Sequence, residues 1–156
     1  MQTDGHRAYV ISSPVSGEVI PIAEVADPMF AAEVMGPSAA IEPISGVLRA
    51  PADGIITLVS RSVHAFTMTS DSGAELLIHA GIDTVSLKGG PFIPHMAVGD
   101  RVREGDALLD IDADAIREAG YHPTVIVIVT NADAWGSVET AAPGPIEAGT
   151  ELMHLR

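Results

Sequence analysis

The chain has 156 residues, 47% of them hydrophobic but only 4% aromatic, and a net charge of −13. That length suits one domain with an aliphatic core, and that charge repels phosphate backbones and anionic lipid, which makes nucleic acid and membrane surfaces poor partners; no nucleic acid and no direct membrane insertion are expected. The acidity serves either a basic protein partner or plain solubility, and with no cysteine present there is no disulfide, thiol nucleophile or thiolate metal ligand.

Residues 1–10 contain nothing of signal-peptide character and are expected to form an N-terminal extension to a single domain over residues 11–156. Fifteen glycines and eleven prolines leave little room for long helices and favour many short strands. Ser13-Pro14-Val15-Ser16-Gly17-Glu18-Val19-Ile20 is echoed by Ala50-Pro51-Ala52-Asp53-Gly54-Ile55-Ile56-Thr57, each a Pro-x-x-Gly turn feeding an extended segment. Short strands are expected at Ala39–Ile44 and Val47–Ala50.

A hairpin follows. Ser62 to Ser70 and Ala74 to Val85 read as strands around the turn Asp71-Ser72-Gly73. With Asp71 and Ser72 at the tip, Ser70 faces Gly73 and His64 faces His79, which puts both imidazoles on one face of the sheet. A one-residue slip would separate them. Ser62 shares the strand face of His64, so its hydroxyl is placed to fix the His64 tautomer. Gly81 marks a close backbone approach. Asp83 is either a rim charge or an ordinary turn carboxylate.

Further on, Val102–Leu109 is echoed by Ile146–Met153. Asp112–Gly120 reads as a short helix with acids at its start and glycine after its end, and a second short helix begins near Asp133. Thr124–Thr130 is a continuous apolar run, as in a strand buried on both faces. Its longest wholly apolar part, Val125–Val129, is far too short to span a bilayer. The expected fold is all-β: a compact antiparallel sandwich or barrel built from related hairpin units, with one or two short helices, in a soluble cytoplasmic protein.

The residues alone leave two readings of the histidines open. They are either satisfied core side chains or a pair for phosphoryl relay, since imidazole is a neutral nucleophile near pH 7 and a second imidazole can hydrogen-bond phosphoryl oxygens. A zinc site needs further ligands, and none of the other histidines (His6, His95, His122, His154) sits at ligand spacing beside His79. No metal and no cofactor are expected. Val98–Leu109 resembles a segment of biotinyl and lipoyl carrier domains, but the single lysine, Lys88, lacks their context.

Ser13-Pro14-x-x-Gly17, Asp27-Pro28-Met29-Phe30, Ala50-Pro51-x-Asp53-Gly54, His64-Ala65-Phe66, Ser70-Asp71-Ser72-Gly73, the segment Glu75 to Val85, Gly99-Asp100-x-Val102 and Thr130-Asn131 together carry a resemblance. The chain resembles the glucose/β-glucoside-type IIA domain of the bacterial phosphoenolpyruvate-dependent sugar phosphotransferase system, nearly end to end. The resemblance implies a mostly antiparallel β-sandwich and a phosphocarrier enzyme. His79 would accept a phosphoryl group from phospho-HPr and pass it to a cysteine of a IIB domain serving a membrane sugar permease. His64 would be the phosphoryl-stabilising partner, and Ser62 stands where the family usually carries threonine. Phe30, Ile78 and Val85 would form the apolar docking surround, with Asp27 and Asp83 as its acidic rim. The alternative is a regulatory binding module switched by phosphorylation. Ala80 stands where family members often carry a larger apolar residue, and Pro91 and Pro94 depart from the plainer segment expected around Phe92. Lacking cysteine and a membrane span, the chain is expected to contain neither IIB nor IIC, and to be a free-standing IIA protein or a piece of a longer IIB-IIC-IIA polypeptide.

Overall fold

A computed structural model describes residues 9–88 and 90–156. The expected N-terminal extension lies outside the described residues as far as residue 8; the first strand begins at Val10. In chain order the strands are β1 (Val10–Ser12), β2 (Gly17–Ile20), β3 (Ser38–Pro43), β4 (Val47–Arg49), β5 (Gly54–Val59), β6 (Ala65–Ser70), β7 (Glu75–Ile82), β8 (Phe92–Pro94), β9 (Arg101–Val102), β10 (Ala107–Ile111), β11 (His122–Val129), β12 (Val138–Thr140), β13 (Gly144–Ile146) and β14 (Glu151–Leu155). The helices are α1 (Pro28–Ala31) and α2 (Ala113–Glu118). Asp112 caps α2, its carboxylate accepting from the Ala115 N–H, and the second expected helix is a single 3-10 turn at Ala132–Ala134.

Every strand pair is antiparallel. One sheet of eight strands runs β13-β2-β3-β11-β7-β6-β5-β9, and two sheets of three run β1-β14-β12 and β4-β10-β8. That order is a palindrome. β2 and β5, β3 and β6, β11 and β7, and β13 and β9 occupy matching places, and the two small sheets match each other strand for strand.

The internal echoes of the sequence are the seams of this pseudo-two-fold. Ser12 N–H donates to the Pro51 carbonyl (2.9 Å), and Arg49 N–H returns the bond to Pro14 (2.8 Å). Gly149 N–H donates to Ser13 as Gly105 N–H donates to Ala50, both at 2.9 Å. Ala148 N–H meets the Ser16 hydroxyl (2.9 Å) where Glu104 N–H meets the Asp53 carboxylate (2.8 Å). A Cβ at Gly17 would collide with the Glu42 carbonyl, and one at Gly54 with that of Thr69, so both Pro-x-x-Gly turns end where only glycine lets the neighbouring strand approach.

β11 is buried along nearly its whole length, as its apolar run predicts. Val125, Val127 and Val129 enter the main core between the sheets with Phe66, Leu76, Ile78 and Leu109. Ile126 and Ile128 face the other way, into a smaller core with Ala40, Ile82, Val25 and Phe30 beneath α1. His79 of β7 lies on this second face.

The β6–β7 hairpin corrects the expected register. Ser70 N–H donates to the Ala74 carbonyl (2.8 Å) and Gly73 N–H to that of Ser70 (2.9 Å), with Gly73 at φ 94°. The loop is therefore Asp71-Ser72-Gly73, three residues with glycine in the left-handed position, instead of a two-residue tip. Ala65, not His64, pairs with His79, and the His64 carbonyl accepts from the Ala80 N–H (2.7 Å). By period-2 alternation that slip should send the two imidazoles to opposite faces. It does not, because His64 lies outside β6.

Candidate active site

His64 is the last residue of the loop between β5 and β6. Val59 pairs with Phe66, so Arg61 to His64 cross over at the end of that hairpin. Val63 N–H donates to the Ser60 carbonyl (2.9 Å), and Val63 itself sits at φ 52°. A β-branched residue in the left-handed region is strained by roughly 1–3 kcal/mol, a cost typically retained at functional sites. The left-handed step frees His64 from strand alternation and turns its ring towards His79. The ring centroids stand 4.9 Å apart at 74°, an edge-to-face contact.

His79 projects from β7 onto the face of the smaller core. Its Nδ1 lies 2.6 Å from the Gly81 carbonyl, which can only accept, so Nδ1 carries the proton and the Nε2 lone pair is free. Gly81 adopts φ 81°, and a Cβ there would run into the Thr84 methyl. Thr84, fully buried, donates its hydroxyl to the Ala80 carbonyl (2.6 Å) and ties down the turn that presents the Gly81 oxygen. The close approach expected at Gly81 is present: an added Cβ would lie 3.1 Å from the His122 carbonyl.

Phe30 packs against His79, with its ring centroid 5.0 Å from that of His79. It is held by α1, which was missed in the sequence because four residues are too few for helical periodicity. The start signals were legible all the same: Pro28 at the first helical position, and Asp27 before it. The Asp27 carboxylate accepts from the N–H groups of Met29 (2.8 Å) and Phe30 (3.4 Å).

Burial holds both imidazoles below the ordinary histidine range. For His79, the Gly81 carbonyl opposes that shift, the neighbouring His64 adds to it, and the negative charges of Asp27 and Asp83 oppose it further. Both rings are thus neutral near pH 7, the state a nitrogen nucleophile requires. Among the described residues no group of three or more metal-binding side chains converges.

Two expectations need correction. Ser62 was placed beside His64 on the assumption of a regular strand; within the loop it is Ser60 whose Oγ lies 3.2 Å from His64 Nδ1. Ile78 was expected on the docking surface but is 0% exposed. Adjacent strand residues point to opposite faces, so a neighbour of His79 in β7 must enter the main core. Phe30 is itself only 8% exposed, a buried packing partner of His79 more than an outer contact. Asp83 and Val85 are exposed, Val85 by 52%, and Met29, which sequence reading did not single out, by 56%. No described helix is long and apolar enough to cross a membrane.

Comparisons with known proteins place the chain in a family. A family model described as phosphoenolpyruvate-dependent sugar phosphotransferase system, EIIA 1, matches residues 9–135. The β-glucoside-specific EIIBCA component of Dickeya chrysanthemi is 45% identical over 149 residues, 96% of this chain and 24% of that protein. The glucose-specific EIIA component of Oceanobacillus iheyensis is 37% identical, with 92% of this chain and 87% of that one covered. Among solved structures, the glucose permease IIA from Mycoplasma capricolum superimposes with a TM-score of 0.84 at 28% identity, covering 94% of this chain and 95% of that one. The chain thus spans about a quarter of the length of the EIIBCA relative and most of the EIIA one. It belongs to the EIIA 1 family of the phosphoenolpyruvate-dependent sugar phosphotransferase system.

Proposed function

We propose that the chain relays a phosphoryl group in the cytoplasm, from phospho-HPr to a cysteine of a IIB domain, through His79. The observation that carries this reading is the pinned imidazole. With its Nδ1–H donating to Gly81, His79 offers only Nε2 to phosphorus. As the Nε2–P bond forms, the bond between phosphorus and the donor protein breaks. The ring becomes cationic, and the Gly81 carbonyl, already facing Nδ1–H, stabilises that charge. Onward transfer reverses the sequence: the Nε2–P bond breaks as a cysteine sulfur on IIB takes the phosphorus, and His79 returns to neutral. His64, edge-on to the same ring, donates to the phosphoryl oxygens as their charge redistributes.

Both partners dock on one surface. Val85 and Met29 supply exposed apolar contact, Phe30 packs against His79, and Asp27 and Asp83 supply negative charge. A relay must release each partner, so these contacts suit the small interfaces of transient encounters, below about 1,200 Å² in total. The acidic rim governs encounter rate and salt dependence with basic partners.

Incubation with phosphoenolpyruvate, enzyme I and HPr should give the chain an acid-labile phosphohistidine. A His79→Ala chain that still took up label would remove His79 from this role.

A further inference from the structure

We propose that Ser60 is the positioning residue that sets the tautomer of His64, so that His64 presents an Nε2–H to the transferring phosphoryl group. The assignment rests on the phosphocarrier reading of the pair but is measurable apart from it.

Ser60 closes the loop that carries His64. Its N–H donates to the Ala65 carbonyl (2.8 Å), and its own carbonyl accepts from Val63 N–H (2.9 Å). Its hydroxyl oxygen accepts from the Ala65 N–H (3.2 Å) and lies 3.2 Å from His64 Nδ1. In the second contact we assign the hydroxyl as the donor to Nδ1. A serine hydroxyl has one hydrogen and two lone pairs; the Ala65 contact takes one lone pair, because an amide N–H can only donate, and leaves the hydrogen for a second partner. Among the described residues Nδ1 is the other protein atom in reach of the hydroxyl. Donation to Nδ1 requires a lone pair on that nitrogen, which places the ring proton on Nε2.

The two histidines are thereby locked in opposite tautomers by two different devices. A backbone carbonyl holds the His79 proton on Nδ1 and bares its Nε2, while a side-chain hydroxyl occupies His64 Nδ1 and leaves its Nε2 protonated. One ring supplies the nucleophile and the other a donor for the oxygens on the same phosphorus. With the tautomers exchanged, neither ring could perform its part. Burial of His64, which keeps it neutral, makes tautomer choice matter, since a cationic imidazolium would donate from both nitrogens. Ser62 does not take this part, and no hydrogen bond joins it to His64.

Long-range proton–nitrogen correlation spectra of the intact, histidine-labelled chain, recorded above the histidine titration range, read the tautomer directly. The wild type should show His64 protonated on Nε2 and His79 on Nδ1. Ser60→Ala should shift His64 towards a mixture. It should slow transfer from phosphorylated chain to IIB by roughly 2- to 12-fold, the worth of one hydrogen bond, with labelling of His79 by HPr retained. Ser60→Thr, which keeps the hydroxyl, should restore both tautomer and transfer. A wild-type His64 protonated on Nδ1 would overturn the assignment, as would an unchanged His64 spectrum in Ser60→Ala or a shift produced by Ser62→Ala in its place. Failure of the chain to be labelled at all would instead defeat the phosphocarrier reading, and the tautomer spectra would still decide the role of Ser60.

Discussion

Replacing Gly81 with alanine tests the link between backbone geometry and the nucleophile. Gly81 sits at φ 81° with its carbonyl 2.6 Å from His79 Nδ1. An alanine there adopts a left-handed conformation at a cost of roughly 1–2 kcal/mol. Its methyl also meets the Thr84 methyl, which cannot retreat, because Thr84 is fully buried and its hydroxyl is bound to the Ala80 carbonyl. Forcing an extra methyl into such packing costs about 1–3 kcal/mol more. The chain therefore loses about 2–5 kcal/mol if the backbone holds. If it relaxes, the carbonyl swings away and the Nδ1–H loses its acceptor. Urea denaturation reads the first outcome; a changed His79 tautomer with a lower initial rate of labelling by phospho-HPr reads the second. Wild-type stability with wild-type labelling would refute the argument that this glycine builds the site.

Other substitutions separate core from surface. Ile78→Ala removes a fully buried side chain and should destabilise by about 2–5 kcal/mol, with little effect on the salt dependence of labelling, whereas Val85→Ser should leave denaturation within about 0.5 kcal/mol and raise the apparent KM for phospho-HPr. Asp27→Ala deletes the cap of α1 and should cost about 0.5–2 kcal/mol; a calorimetric scan checks that, and the shift of the Phe30 ring resonances reports whether its packing against His79 loosens. The depressed pKa values of His79 and His64 mean that the unfolded chain binds protons more readily than the folded one. Stability from these groups is unaffected above about pH 6.5, the unfolded value, and declines as the pH falls below it. Denaturant midpoints measured across that range should show the decline, and His79→Gln should flatten it.

Much of the fold was legible because its signals are local. The Pro-x-x-Gly echoes mark the two-fold seams, since glycine is required where Glu42 and Thr69 backbones approach. The unbroken run in β11 marks the strand that feeds two cores. The histidine pair was legible too, but for a reason the structure amends. Counting outward from a two-residue tip placed His64 opposite His79; the true loop has three residues, and the rings meet because Val63 breaks the strand period. No pattern of apolar residues announces a valine with positive φ, so the role of Ser60 could not be read in advance. Ile78 was misplaced by letting proximity in sequence stand for proximity on a face. α1 was overlooked because its evidence is a cap and a proline, with no room for a repeat.

The central claim is that His79 Nε2 carries the phosphoryl group. Phosphorus–nitrogen correlation spectra of the labelled chain, phosphorylated through enzyme I and HPr, locate the bond. The account predicts phosphorus on His79 Nε2, with Nδ1–H still bound to the Gly81 carbonyl. Phosphorus on His79 Nδ1, or on His64, would contradict it.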